Sequence, residues 1–298
     1  MAADLQGRPL EPKAARKLLL RQLRKARACL RARPGDEQIH SARKHIKKAR
    51  ALLRMLEPSL GRRTWRRGEA ALRAAARPLS AVRDAKIMTD TFEQLLKSRA
   101  RVLLKGRRRL AASLARHHRE TRAAVVREPG GLAAACRSLR RATRTLDAPL
   151  NGGRRALLRS PGKLYRAGRR QLLRNQCEPA VDTLHAWRKC SKYLYHQLEV
   201  LATHCPPETS RLARAFHALS DDLGEDHDLA LLRAHVALHP ESLPDPEERE
   251  DLVRLIEEAR LERQQRVFRS AAQLYARRPR DFRAVLENGC RRAPVPAP

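Results

Sequence analysis

The sequence predicts an all-α protein made of two related halves, and three observations lead there. Apolar residues recur at three- and four-residue spacing through almost every segment between Lys13 and Arg292, which is the period of an amphipathic helix. No run alternates apolar and polar as a half-buried strand does. One ten-residue block occurs twice, 145 residues apart. A chain of 298 residues with 42% hydrophobic content is large enough to bury a real core.

Pro and Gly divide the helical pattern into elements. Pro34-Gly35 ends a first basic segment carrying Lys17, Arg21, Arg24 and Lys25. Glu57-Pro58 closes the second segment, in which Ile39, Ala42, Ile46, Ala49, Leu53 and Leu56 form one stripe about 100° wide. Arg77-Pro78 ends the third, and Asp84 is then expected to open a helix. Breaks follow at Pro129-Gly130-Gly131, Asn151-Gly152-Gly153, Ser160-Pro161-Gly162, Pro206-Pro207, Pro240 to Pro246 and Arg278-Pro279. The heaviest, residues 149 to 162, sets the expected organisation: a tail at 1–12, a first half at 13–150, a second at 151–292 and a Pro-rich tail at 293–298.

Self-similarity ties the halves together. Ile39 to Lys48 reappears as Leu184 to Tyr193, and Leu79 to Asp84 corresponds to Leu223 to Asp228 at an offset of 144. In the second copy Leu184, Trp187, Leu194, Leu198 and Leu201 take the stripe positions. The reading is a duplicated helical unit.

Charge defines the partner. Lys and Arg number 65 against 32 Asp and Glu, a net +33, and self-repulsion on that scale makes sense chiefly with a polyanion bound. Most of the basic residues are Arg, whose planar fork suits phosphate. An acidic island at residues 241 to 262, with nine Asp or Glu and three Arg, leaves the positive charge concentrated elsewhere. Aromatic residues make up 3%, too few for base-stacking platforms. No apolar run approaches the ~20 residues of a membrane span, and the N-terminus lacks a leader's apolar core. A soluble cytoplasmic protein is expected. The six cysteines are scattered and should be reduced, mostly buried thiols; they offer no clustered zinc ligands. Neither a metal nor another cofactor is implied.

The repeated helix carries the candidate site. Opposite the first stripe stand His40, Arg43, Lys44, Lys47 and Arg54, with Lys48 at the edge; opposite the second stand His185, Arg188, Lys189 and Lys192. The two copies read as two equivalent cationic walls. For His40 and His185 three roles stay open: phosphate donor, phosphorylated nucleophile, or hydrogen-bonded structural residue. Asp84 and Asp228 either cap a helix N-terminus or orient an Arg or Lys of the wall. Lys17, Arg21, Arg24, Arg166, Arg169, Arg170 and Arg174 precede the two motifs in step and could extend the wall. Asp221, Asp222, Glu225, Asp226 and Asp228 form a dense acidic cluster straddling an expected helix end. No Gly-rich phosphate loop accompanies it, so phosphoryl transfer is the lesser reading.

These residues resemble the CHAD family, the conserved-histidine α-helical domain. The motif His-x-x-Arg-x-x-x-Lys followed by Lys or Arg is met by His40, Arg43, Lys47 and Lys48, and again by His185, Arg188 and Lys192. The later Leu-Gly-x-x-Arg/His-Asp element is similar to Leu79–Asp84 and Leu223–Asp228. The resemblance implies one domain of two pseudo-symmetric helical bundles enclosing a basic groove or pore. It also implies non-catalytic binding of inorganic polyphosphate and association with polyphosphate granules, in the form without a fused triphosphate-tunnel domain. General nucleic-acid binding is the alternative. The second copy departs from the pattern with Tyr193 and Tyr195 where the first has Lys48 and Arg50, and Ser80 stands where Gly224 keeps the glycine. The first half is therefore expected to contribute more of the binding.

Overall fold

The computed structural model describes residues 10–31, 34–98, 105–204 and 208–291. Among them the chain forms helices α1 (Pro12–Cys29), α2 (Asp36–Leu60), α3 (Arg62–Ser98), α4 (Arg107–Arg127), α5 (Leu132–Leu146), α6 (Arg154–Leu157), α7 (Arg159–Cys177), α8 (Val181–Ala202), α9 (Glu208–Leu238), α10 (Pro246–Leu274) and α11 (Pro279–Arg291). A 3-10 turn at Pro240–Ser242 precedes α10, and no strand is present among the described residues. The all-α expectation holds.

Three expected breaks are not breaks. Pro58 lies inside α2, which stops instead at Gly61 in a positive-φ conformation (φ 75°) that L side chains rarely adopt. Pro78 lies inside α3, where Leu72, Ala75, Leu79 and Val82 are buried on both sides of it. That packing outweighs the lost backbone bond. Pro161 sits in the first turn of α7, where its missing N–H would have had no helical partner anyway. Pro206-Pro207 falls outside the described residues.

The stripes read from sequence are the buried faces. Ile39, Ala42, Ile46, Ala49, Leu53 and Leu56 of α2 are all at most 1% exposed, and Leu184, Trp187, Leu194, Leu198 and Leu201 of α8 are likewise buried. Each buried Ile or Leu contributes roughly 1.5–3 kcal/mol, against a few tenths lost per pair of neighbouring cations on the opposite face. Burial therefore decides the helix, and the cationic ridge is carried at small cost.

Packing follows the same order in both parts of the chain. In the first, α1 packs on α2, α2 on α3, α3 on α4, and α5 returns to α1 and α3; in the second, α7 packs on α8, α8 on α9, α9 on α10, and α11 returns to α7 and α9. Across the middle, α2 meets α8 and α3 meets α9. The larger apolar core runs continuously through both sets, and a smaller one joins α3 and α4 to α9 and α10. Gln197 of α8 fastens the junction, its Nε2 donating to the Ala51 carbonyl and to Ser160 Oγ at 2.9 Å each. The scarce aromatics are spent on this core: Tyr165 stacks on Phe282 (4.0 Å between centroids), with Phe216, Tyr275 and Trp187 around them. Gly168 permits the approach, since a Cβ there would lie 2.2 Å from the Tyr275 hydroxyl oxygen.

The acidic island is structural. Glu248 of α10 accepts the Gly106 N–H at the start of α4 (3.1 Å), and Glu257 pairs with Arg233 of α9 at 2.7 Å. Of the cysteines described, Cys29, Cys136 and Cys190 are half-buried and Cys177 is exposed, all as free thiols. The expectation of mostly buried thiols is corrected: they sit at stripe edges, not centres.

Candidate functional site

Because α2 and α8 bury their stripes on opposite sides of their contact, their polar ridges, flanked by α3 and α9, face a common cavity of about 400 Å³. His40, Arg43, Lys44, Lys47 and Lys48 enter it from α2, Arg83 and Asp84 from α3, Arg188 and Lys192 from α8. Asp221, Glu225 and Asp228 face it from α9, and Glu199 from α8.

Each motif arginine stands beside the aspartate of its own set, hydrogen-bonded in the first and at ion-pair distance in the second. Arg43 Nη1 donates to the Leu79 carbonyl at 3.1 Å and to Asp84 Oδ1 at 3.4 Å. Arg188 Nη2 stands 4.0 Å from Asp228 Oδ1, and the guanidinium lies over Gly224, where a Cβ would come within 3.5 Å of it, at ordinary van der Waals distance. The capping reading of Asp84 and Asp228 is corrected, because both lie inside long helices, α3 and α9, away from any N-terminus. They are positioning carboxylates. Likewise Asp221 to Asp228 do not straddle a helix end but stand mid-helix on α9, and Asp226 is buried against Arg260 (3.2 Å) and Gln264 (2.8 Å).

Lys47 stands apart. It makes no hydrogen bond or ion pair among the described residues, and burial together with Arg43, Lys192 and Arg188 pushes its ammonium down to about 7. Lys192 is lowered by burial and Arg188, although Asp221 stands 3.8 Å away. Burial lowers Arg43 as well. Burial and Arg83 lower His40. Concentrated like charge leaves these groups short of a counter-ion.

His185 does not line the cavity but lies behind it, stacked on His227 with centroids 4.4 Å apart. Its Nδ1 is buried without a partner, as is Nε of the neighbouring Arg188. Burial, with Lys189 and Arg188, pushes His185 down to about 4; burial, with Arg188 and His185, pushes His227 down to about 3. Both rings are neutral at pH 7.

The two walls are unequal. From α2 and α3 come five Lys or Arg and one Asp; from α8 and α9 come two Lys or Arg and four Asp or Glu. Most of these carboxylates are already engaged with Lys, Arg or His side chains: Glu199 with Lys48 (2.9 Å) and His196 (3.4 Å), Asp221 with His217 (2.9 Å), Glu225 with Arg263 (3.0 Å). The bond from His196, with that from Lys48, holds Glu199 down to about 2. Tyr195, which stands at the repeat position of Arg50, lines the cavity as a neutral phenol pushed up to about 12 by burial.

Several sequence candidates lie elsewhere. Arg50 and Arg54 converge instead on buried Glu69 (2.5 and 3.3 Å) and cover the Tyr193 ring, because, two and six residues past Lys48, they stand roughly 200° and 240° around the helix from it, on the side facing α3. Lys17 and Arg24 line a separate groove beside α5, and Arg21 is exposed on the same helix. Arg169 bonds the Tyr275 carbonyl at 3.1 Å. Neither it nor Arg166, Arg170 or Lys189 lines the cavity. Conversely, Arg83, His196, Glu199 and His217 line it without having been singled out, Arg83 alone of them carrying a signal as a member of the repeated Leu79–Asp84 block; Tyr195 was noted only as a departure from the motif and Asp221 only within the acidic cluster.

The sequence profile of the CHAD domain matches residues 14–237. The chain belongs to the CHAD domain family. Among solved structures, the crystal structure of the CHAD domain from the plant Ricinus communis superposes with a TM-score of 0.66 at 17% identity, over 92% of this chain and 96% of that one. At that identity the likeness concerns the fold. No curated protein sequence matches. Among the described residues of this CHAD protein, no helix is long and apolar enough to cross a membrane, and no group of three or more His, Cys, Asp or Glu is placed to hold a metal ion.

Proposed function

We propose that this CHAD protein binds inorganic polyphosphate non-catalytically in the α2/α8 cavity and so is carried to cytoplasmic polyphosphate granules. The observation that carries the reading is the convergence of Arg43, Lys47, Arg188 and Lys192 on one cavity, with Lys47 left without a counter-ion. Such a group lacks an anion, and each charge-assisted bond to a phosphate oxygen is worth about 1.5–3 kcal/mol. The association of the CHAD family with polyphosphate agrees.

A linear phosphoanhydride chain is one tetrahedron wide and fits a space of about 400 Å³. Duplex DNA, whose major groove alone is about 12 Å wide, does not. Burial of Tyr165, Trp187, Phe216 and Tyr275 in the core withdraws them from base stacking. Carboxylates already engaged with Lys, Arg and His are occupied as positioning groups, which supports binding over phosphoryl transfer.

The test is competition between polyphosphate and duplex DNA at equal phosphate concentration and about 200 mM salt, with Arg43→Ala and Lys47→Ala, singly and together with Arg188→Ala and Lys192→Ala. Polyphosphate should win, the variants should bind it progressively less, and the helical circular-dichroism signal should persist. Preference for DNA, or release of orthophosphate by the purified protein, overturns the proposal.

A further inference from the structure

We propose that the outer face of α1 and α5 is a second phosphate-chain site, separate from the cavity and serving the ends of chains too long for it; this rests on the polyphosphate reading above. The two helices pack on each other and together carry eleven Lys and Arg and not one Asp or Glu. None of the eleven forms an ion pair with a described residue. The nearest carboxylates in sequence, Glu11 and Asp147, flank the helix ends as the N-cap of α1 and C-cap of α5.

The charge is organised around a concavity. A groove of about 400 Å³ is lined by Lys13, Arg16, Lys17, Leu20, Arg24 and Thr143. Arg16 is fixed by donating to the Ala148 carbonyl, while Lys13, Lys17 and Arg24 are exposed and free to turn toward a ligand. In the second set the counterpart of α5, α11, pairs Arg283 with Glu287 at 2.7 Å and Arg280 with Asp281 at 3.4 Å; the counterpart of α1, α7, is as free of Asp and Glu as α1 itself. Spacing of three and four residues places like charges side by side on α1, a repulsion that an anion reverses.

The surroundings of the groove select among anions. A lipid surface calls for apolar anchors beside the basic residues, and the exposed large apolar side chains among the described residues, Val126, Leu173, Val181, Leu238 and Leu261, all lie outside α1 and α5. A duplex is stiff over about 150 base pairs and costs energy to bend, whereas a flexible phosphate chain can follow cations spaced along one helix.

The experiment compares the wild type with Lys13→Gln/Lys17→Gln/Arg24→Gln, all on exposed positions, using a polyphosphate short enough to fill the cavity alone and one of about a hundred units, whose second engagement is intramolecular. Short-chain affinity should be unchanged. Long-chain affinity should fall at least tenfold, and its salt slope should decrease by about 2, at roughly 0.7 per lost contact to a single strand. Unchanged long-chain affinity and salt slope overturn the second site, as does loss of binding to anionic vesicles or duplex DNA with long-chain polyphosphate binding intact. A parallel Lys47→Gln variant separates the two claims: if it leaves short-chain binding untouched, the cavity reading fails while the α1/α5 result still stands or falls by the triple variant.

Discussion

The two walls of the cavity carry matching sequence blocks and present different electrostatics. The α2/α3 wall sets five cations against Asp84, whereas the α8/α9 wall sets Arg188 and Lys192 against Glu199, Asp221, Glu225 and Asp228. What the walls share is the arginine beside its aspartate and the lysine one turn on, Lys47 and Lys192; what differs is the charge around them. Where α3 supplies Arg83, α9 supplies His227, which burial and Arg188 keep neutral. Tyr195 of α8 lines the cavity, whereas Arg50 at the matching place on α2 turns away to Glu69. The lesson is that a repeated motif transmits a clamp, not a charge, and that the anion should lie along α2 and α3.

The comparison breaks most visibly under charge removal. Arg43→Gln/Lys44→Gln/Lys47→Gln should weaken polyphosphate binding by about 100-fold or more, and Arg188→Gln/Lys192→Gln by about tenfold, from the energy of charge-assisted bonds. Isothermal titration would measure both, and equal losses would restore two equivalent walls.

Lys47 should impose a pH dependence on that stronger wall. Its ammonium is down at about 7 in the free protein, and a bound phosphate raises it, so binding above pH 7 must take up a proton. Affinity should fall by up to about tenfold per pH unit above 7, and Lys47→Arg should flatten the profile. The ligand-free fold responds with the opposite sign. Between about 7 and the ordinary lysine value the unfolded chain binds the extra proton, so stability rises with pH there.

A gentler probe acts on the weaker wall. Glu225 pairs with Arg263 on the outside and holds no cavity cation, so Glu225→Gln removes a negative charge without releasing a ligand group. Polyphosphate affinity should rise about two- to fivefold at low salt, the scale of a partly screened charge; a fall would show that the carboxylate helps.

The smallest effect concerns acid. His185 and His227 are held at about 4 and 3, and His235, buried beside His239 and His117 (centroids 4.5 and 5.0 Å), is held at about 4. Their folded values lie below the unfolded one near 6.5, so the unfolded state binds more protons and stability is lost as pH falls from about 6.5 toward 4. Denaturant unfolding across that range, with and without polyphosphate, should show partial rescue by ligand. His235→Gln should leave the rescued portion unchanged, since that cluster lies away from the cavity, and loss of rescue in this variant would contradict the assignment.

Helical class, both apolar stripes and the cationic ridge with His40, Arg43 and Lys47 were legible in the sequence, because period and burial are local properties of one helix. Arg50 and Arg54 were misplaced because, two and six residues past Lys48, they face α3 and meet Glu69. Lys17 and Arg166 were misplaced because recurrence in step says nothing about which way a neighbouring helix faces. Asp84 looked like a cap because Pro78 looked like an end; packing around Leu79 and Val82 carried the helix through.

By itself, then, the sequence determined the class of the fold, the sign of the chain's own charge and the residues of the Arg–Asp pairs, since composition, periodicity and motif are written residue by residue. Only the tertiary structure decided that one wall would be cationic and the other mixed, that Lys47 would lack a counter-ion, and that α1 would turn its charge outward. Those outcomes depend on which side chains from distant helices come within a few ångströms, and Coulomb energies at that range depend on distance and burial, not on order along the chain.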